Sequence, residues 1–127
     1  MANKTGNIAP VRLELLITIV DKNKAASYAD FIQAYDVNLQ IVVPAKGTAK
    51  DEVLEYLGLA DSDRVAIFSV VRADRLEELS EAIEDRFRSL KNGNGICVAM
   101  PFSSVIGRLA FGFLSNDERI AEEEAAR

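Results

Sequence analysis

Two short stretches of the chain carry residue types suited to holding an anion. Gly93-Asn94-Gly95 sets two glycines around one polar residue, so that successive backbone N–H groups would converge on a phosphate. Lys46-Gly47-Thr48 places a cation beside a flexible glycine, and Thr48 stands where the start of a helix would favour negative charge. Arg108 is a third candidate phosphate ligand. Each also has an ordinary structural reading. Asn-Gly steps are turn residues, a threonine before a helix is a cap, and arginines mostly stand at the surface. Cys97 sits in an apolar run and reads as a small buried hydrophobe. Ser103 and Ser104 are loop hydroxyls that a polar site can use. Glu77, Glu78, Glu81, Glu84 and Asp85 fall on the solvated side of a helical pattern and do not form a convergent catalytic pair.

What the chain lacks narrows the chemistry further. It has no histidine and one cysteine. That removes Ser-His-Asp and Cys-His nucleophile systems, internal disulfides and Cys-x-x-Cys motifs, and zinc sites of the usual His/Cys kind. Neither a Walker A motif nor an EF-hand spacing occurs. The remaining chemistries are carboxylate-based hydrolysis and oxygen-ligated Mg²⁺ or Ca²⁺. A net charge of −5 gives no global attraction to nucleic acid. No apolar run reaches the roughly 20 residues needed to cross a bilayer, and the first residues lack the apolar segment of a signal peptide. The expectation is a cytoplasmic protein with no nucleic-acid partner and no direct membrane insertion. A length of 127 residues suits a single domain, with a core over about 12–114, a polar N-terminal arm and a charged C-terminal tail.

The elements that must position these residues follow from periodicity. Arg12 to Val20 reads as a strand, with Val11, Leu13, Leu15, Ile17 and Ile19 forming one continuous apolar face. Asp21 suits an N-cap, and Ala25, Tyr28, Ala29, Ile32 and Tyr35 predict a helix over about 22–36. Val37 to Val43 returns to a strand that Pro44 would end. A short helix at about 49–57 follows, with Gly58 at its end. Asp63 to Arg72 is apolar on both faces, so both faces should be covered. Asp74 would cap a helix over about 75–90, whose Leu76, Leu79, Ile83, Phe87 and Leu90 step by three and four. Ile96 to Met100 is a fourth strand, stopped by Pro101. Phe102 to Leu114 reads as a strand-like extension or hairpin.

Two β-α-β units in succession predict an α+β, ferredoxin-like βαββαβ sandwich. It has an antiparallel sheet, helices on one face, and an extra short helix between strands 2 and 3. Right-handed crossovers put both long helices on the same face. The opposite face then needs cover, because a soluble monomer rarely exposes a large apolar sheet face. Burying each Val, Leu or Ile gains roughly 1.5–3 kcal/mol, so packing of open faces in a dimer or closed ring is expected. The two glycine-containing loops should lie at opposite ends of the sheet, and a pocket shared between them would need a neighbouring subunit.

The chain resembles the PII-like signalling proteins over about 12–114. The opening strand Leu13-Glu14-Leu15-Leu16-Ile17-Thr18-Ile19-Val20 runs straight into a helix. Val43-Pro44-Ala45-Lys46-Gly47-Thr48-Ala49 stands where that family begins its T-loop. Gly93-Asn94-Gly95 resembles its Gly-Asp-Gly B-loop, and Met100-Pro101-Phe102-Ser103-Ser104-Val105-Ile106-Gly107 resembles the strand and turn that follow. The resemblance implies a regulatory homotrimer that is not an enzyme and has no cofactor. Such a protein takes an effector such as ATP, ADP or AMP in clefts between subunits and controls a partner transporter or enzyme. It also implies that Lys46, Gly47, Thr48, Gly93, Asn94, Gly95 and Arg108 hold the ligand. Four features depart from the family. Asn94 replaces the acid, Ile96 replaces the phosphate-binding lysine, the arginines usual in the final strand are not present as a pair and leave Arg108 as the only nearby candidate, and the long T-loop with its modifiable tyrosine is missing, which leaves Tyr56 as a packing residue. The chain is similar to a divergent, short-loop relative. The alternative is a CutA-like trimer that binds divalent ions, against which the lack of histidine argues for copper or zinc.

Overall fold

The structure is a computed structural model and describes residues 11–46, 63–89 and 95–116. The predicted helix at about 49–57 lies outside them. Four strands form one antiparallel sheet: β1 (Leu13–Asp21), β2 (Gln40–Ala45), β3 (Arg64–Arg72) and β4 (Ile96–Pro101), in the order β2-β3-β1-β4. A single 3-10 turn (Lys22–Lys24) leads into α1 (Ala25–Gln33), α2 (Ala73–Ser89) joins β3 to β4, and α3 (Arg108–Leu114) follows β4. This order and pairing are consistent with a ferredoxin-like arrangement.

Residue alternation along the strands separates two unlike faces. Leu16, Thr18 and Val20 of β1 share one face with Val65, Ile67, Ser69 and Val71 of β3, and all are buried. Ile32 and Tyr28 of α1 and Leu79 and Ile83 of α2 close over them. The face of β1 that is apolar without interruption is therefore the one turned away from the helices. The mixed face packs as core because its polar members are satisfied locally: Gln40 donates to the Ser69 hydroxyl at 3.2 Å, and Thr18 Oγ1 lies 3.5 Å from Cys97 Sγ.

Two arginines on α2, roughly three turns apart, bind it to α1. Arg86 lies over the rings of Tyr28 and Phe31, 5.1 and 4.8 Å from their centroids, and donates to the Ser27 hydroxyl. Arg75 lies 5.3 Å from the Tyr35 ring centroid and pairs with Asp36 and Glu78. Asp36 has a left-handed φ of 64°, a conformation that short polar side chains tolerate and that ends the helical run. The chain thus leaves its helix before the predicted end at 36.

Several sequence expectations need correction. Pro44 lies inside β2, paired with Val65, and Pro101 lies inside β4, paired with Glu14. Both are edge strands, so the absent N–H faces away from the ladder and stops nothing. The stretch Phe102–Leu114 is not a hairpin but a connection followed by helix α3. Asp74 is inside the first turn of α2, not ahead of it. Asp21 makes no side-chain cap bond and is buried at the end of β1.

Arg72 and Asn38 fasten α3 to the sheet. Arg72 donates to the Ser115 carbonyl at 3.1 Å and, through two nitrogens, to Asp74 at 2.9 and 2.7 Å. Asn38 donates to the Phe113 carbonyl at 2.6 Å. These side chains add donors to carbonyls at the end of a helix, where intrahelical partners run out; the Phe113 carbonyl also accepts from the Asn116 N–H at 3.2 Å. Replacing Arg72 by Gln is expected to cost about 1 kcal/mol and to speed amide exchange over residues 111–116, measured by hydrogen–deuterium exchange. The Arg72 hydrogen bond holds the Asp74 carboxyl below its ordinary range. That contribution is present above the unfolded carboxyl pKa and is lost as pH falls through the lowered one. The variant should lose this part of the acid sensitivity.

Candidate functional site

The predicted ligand residues divide between the two ends of the sheet. Lys46 follows the last residue of β2, and Ala45 pairs with Arg64, which pairs with Asp21 at the end of β1. Gly95 precedes β4, whose Ile96 pairs with Ile19. Lys46 and Gly95 therefore stand at the same end, not at opposite ends as expected. The reason is that β2 and β4 run in opposite directions, so the exit of one and the entry of the other coincide. They occupy opposite edges, separated by β3 and β1, which puts roughly 14 Å between them. Gly47, Thr48, Gly93 and Asn94 lie outside the described residues.

Gly95 has a structural duty of its own. A Cβ at this position would meet the Ile19 carbonyl oxygen at 2.5 Å and Val20 Cγ1 at 3.0 Å. The absence of a side chain lets β4 close against β1. Gly107 is the glycine with a left-handed φ, 105°, among the described residues, and it turns the chain into α3.

Asp21 was not read as a site residue from sequence. Its Oδ1 is buried and has no hydrogen-bond partner among the described residues, at the end of the sheet that carries Lys46 and Gly95. A buried carboxylate oxygen without a donor is costly, and a ligand amine or hydroxyl could satisfy it. The capping signal in the sequence hid this, because Asp before a helical pattern is so often only a cap.

Arg108 stands at the far end. It borders a cavity of 620 Å³ between the start of β1 and the connection from β4 to α3. Arg12, Ser103 and Ser104 share its polar side, and Leu13, Phe102 and Phe111 form apolar wall. Leu13 is 3% exposed although it lies on the face without helices, because this connection covers that end. Arg12 too was missed in the sequence, where it was only the polar start of a strand.

The other candidates keep their ordinary roles. Cys97 faces Thr18 on the helix side, and burial raises its thiol pKa, partly offset by the Thr18 contact, so it stays protonated at neutral pH. The acidic residues Glu77, Glu78, Glu81, Glu84 and Asp85 are all on the exposed side of α2. Among the described residues no group of three or more His, Cys, Asp or Glu side chains is placed to hold a metal ion. No described helix is long and apolar enough to cross a membrane.

The remaining surface feature is the sheet face opposite the helices. Leu15, Ile17, Ile19, Leu39, Ile41, Val43, Phe68, Val98 and Met100 share it. Ile41 is 53%, Val98 47% and Met100 44% exposed. A depression of 290 Å³ in this face is lined only by apolar side chains.

No protein-family model and no curated protein matches the chain. Solved structures do match its fold. CPII from Thiomonas intermedia K12, bound to ADP, AMP and acetate, superposes with a TM-score of 0.60 at 16% identity, covering 82% of this chain and 97% of that one. CPII bound to ADP, AMP and bicarbonate, a nitrogen regulatory PII-like protein of the same organism, matches with a TM-score of 0.51 at 15% identity, over 75% and 97%. A Bacillus cereus protein related to NIF3 matches with a TM-score of 0.55 at 11% identity, over 76% of this chain and 27% of that one. The chain has the fold of the PII-like proteins, the family its own motifs resemble, in a sequence far from the solved examples.

Proposed function

We propose that this chain is a PII-like regulatory protein of the nitrogen-regulation type, cytoplasmic and not an enzyme. It acts as a homotrimer that senses an adenine nucleotide between subunits and controls a partner transporter or enzyme. The observation that carries the reading is the continuous apolar sheet face, with one candidate ligand residue, Lys46 or Gly95, on each of its two edges at the same end. Closing such faces in a ring brings the β2 edge of one subunit beside the β4 edge of the next. Lys46, Gly47 and Thr48 would then meet Gly93, Asn94 and Gly95 of a neighbour across a cleft that one chain cannot form. Asp21, whose Oδ1 has no partner among the described residues at that end, would accept a hydrogen bond from the nucleotide. Ile96 stands where the family has a lysine, so Lys46 and backbone N–H groups are left to hold phosphate. The adenine nucleotides in the CPII structures support this choice of effector. Arg108, at the far end, is not needed for that cleft.

Thermal unfolding with ATP, ADP and AMP tests the effector. A nucleotide at 100 times its Kd adds roughly 2.7 kcal/mol, and Lys46→Ala is expected to remove most of the shift. If sedimentation shows a trimer that no nucleotide stabilises, the effector is wrong and the assembly stands. If the protein sediments as a monomer at micromolar concentration, the cleft itself is wrong.

A further inference from the structure

The cavity at the far end of the sheet is not part of the nucleotide reading, and nothing about it depends on that reading. It lies along β1 from the loop end by roughly 23 Å. Its volume of 620 Å³ is in the range of small-molecule pockets. Its described side-chain polar groups can all donate a hydrogen bond. Arg12 and Arg108 supply guanidinium donors, and Ser103 and Ser104 supply hydroxyls. Among the described residues that line it there is no carboxylate or amide side chain. A ligand rich in donors, such as a nucleobase amine, would find no side-chain acceptor stronger than a serine hydroxyl. A planar or tetrahedral anion would find two guanidinium forks, the groups best matched to it. The chain as a whole carries a net charge of −5, so two arginines on one cavity concentrate a local attraction that the rest of the protein does not supply. The opposite wall is apolar. Leu13 is buried and Phe102 and Phe111 are half-buried, which leaves ring and aliphatic surface for a ligand body rather than for water. Gly107, at φ 105°, fixes the turn that sets Arg108 beside this wall.

We propose that this cavity binds a small organic anion with an apolar body, its acid group held between Arg12 and Arg108 and its body against Phe102, Phe111 and Leu13. The full chain is titrated with phenylpyruvate, 4-methyl-2-oxopentanoate and phenyl phosphate, followed by calorimetry and by amide chemical shifts. At least one is expected to bind, with the largest shifts at residues 11–13 and 102–111. The affinity should fall at least ~10-fold in Arg12→Gln and in Arg108→Gln, and change less than about twofold in Lys46→Ala at the other end. Tighter binding of the two carboxylates identifies an organic acid as the ligand class; tighter binding of phenyl phosphate identifies a phosphate monoester. The neutral 3-phenylpropanol should not compete. No binding of any of the three at millimolar concentration overturns the proposal. So do shifts located elsewhere, equal binding of the neutral alcohol, or an affinity unchanged in both arginine variants.

Discussion

Replacing Gly95 by Val is expected to destabilise the fold by at least ~2 kcal/mol, read from the urea midpoint. The Cβ would stand 2.5 Å from the Ile19 carbonyl oxygen and 3.0 Å from Val20 Cγ1, and Phe87 Cε1 is 3.4 Å away. The first of these atoms is backbone, in the last pair of the β1–β4 ladder, so it cannot rotate aside. To make room, β4 must move off β1 or the sheet must bend, and either change disturbs the face on which Val20 packs with Tyr28 and Val65. Gly95→Ala should show the same sign at smaller size, because it lacks the branched methyls that would press on Val20 and Phe87. A Gly95→Val variant with wild-type stability would mean that β4 does not approach β1 as closely as the structure has it. The same geometry makes Gly95 a poor probe of ligand binding. Any substitution there alters the fold before it alters a phosphate nest, and Lys46, exposed beyond the end of β2, is the clean probe of that end.

Gly95 shows what the sequence could and could not convey. Its place in a turn before a strand was legible from Asn-Gly chemistry and from the apolar run after it. Its steric reason was not, since the atom that excludes a side chain belongs to Ile19, distant in the chain. The regular elements were readable because each carries its own periodicity: Leu76, Leu79 and Ile83 step along α2, and β3 is apolar on both faces because it is a central strand. The prolines were misread for a related reason. A proline ends a central strand, but Pro44 and Pro101 lie in edge strands, and whether a strand is central depends on sheet order, which no local pattern encodes. The helix Arg108–Leu114 was hidden because Gly107 and Gly112 interrupt an apolar stretch without a helical repeat. The candidate site suffered most. Lys46 and Gly95 share an end only through the direction of their strands. Arg12 and Arg108 border one cavity only because the chain after Pro101 folds back over Leu13.

A carboxylate placed on the open sheet face should take the assembly apart while leaving the subunit folded. In Val98→Asp the new side chain stands on β4, opposite Ile17, at a position 47% exposed in the single subunit. A charge can stay hydrated there, so the stability of the isolated fold should change by no more than about 0.5 kcal/mol. In a ring closed by these faces the same carboxylate would be surrounded by residues such as Ile17, Ile41, Phe68 and Met100 and their copies. Burying it without a partner costs several kcal/mol per subunit, which is at least ~100-fold in the association constant. Sedimentation velocity should therefore show the wild type as an oligomer and Val98→Asp as a monomer with an unchanged far-ultraviolet circular dichroism spectrum. Val98→Ile, which keeps the face apolar, should assemble like the wild type. The nucleotide response is the second readout of the same variant. If the ligand loops of two edges must come from neighbouring chains, the monomer loses its thermal shift with ADP even though Lys46 and Gly95 are intact. An oligomer that persists in Val98→Asp would place the contact elsewhere than on this face. A monomer that still responds to ADP would confine the nucleotide site to one chain and remove the reason for pairing the two edges.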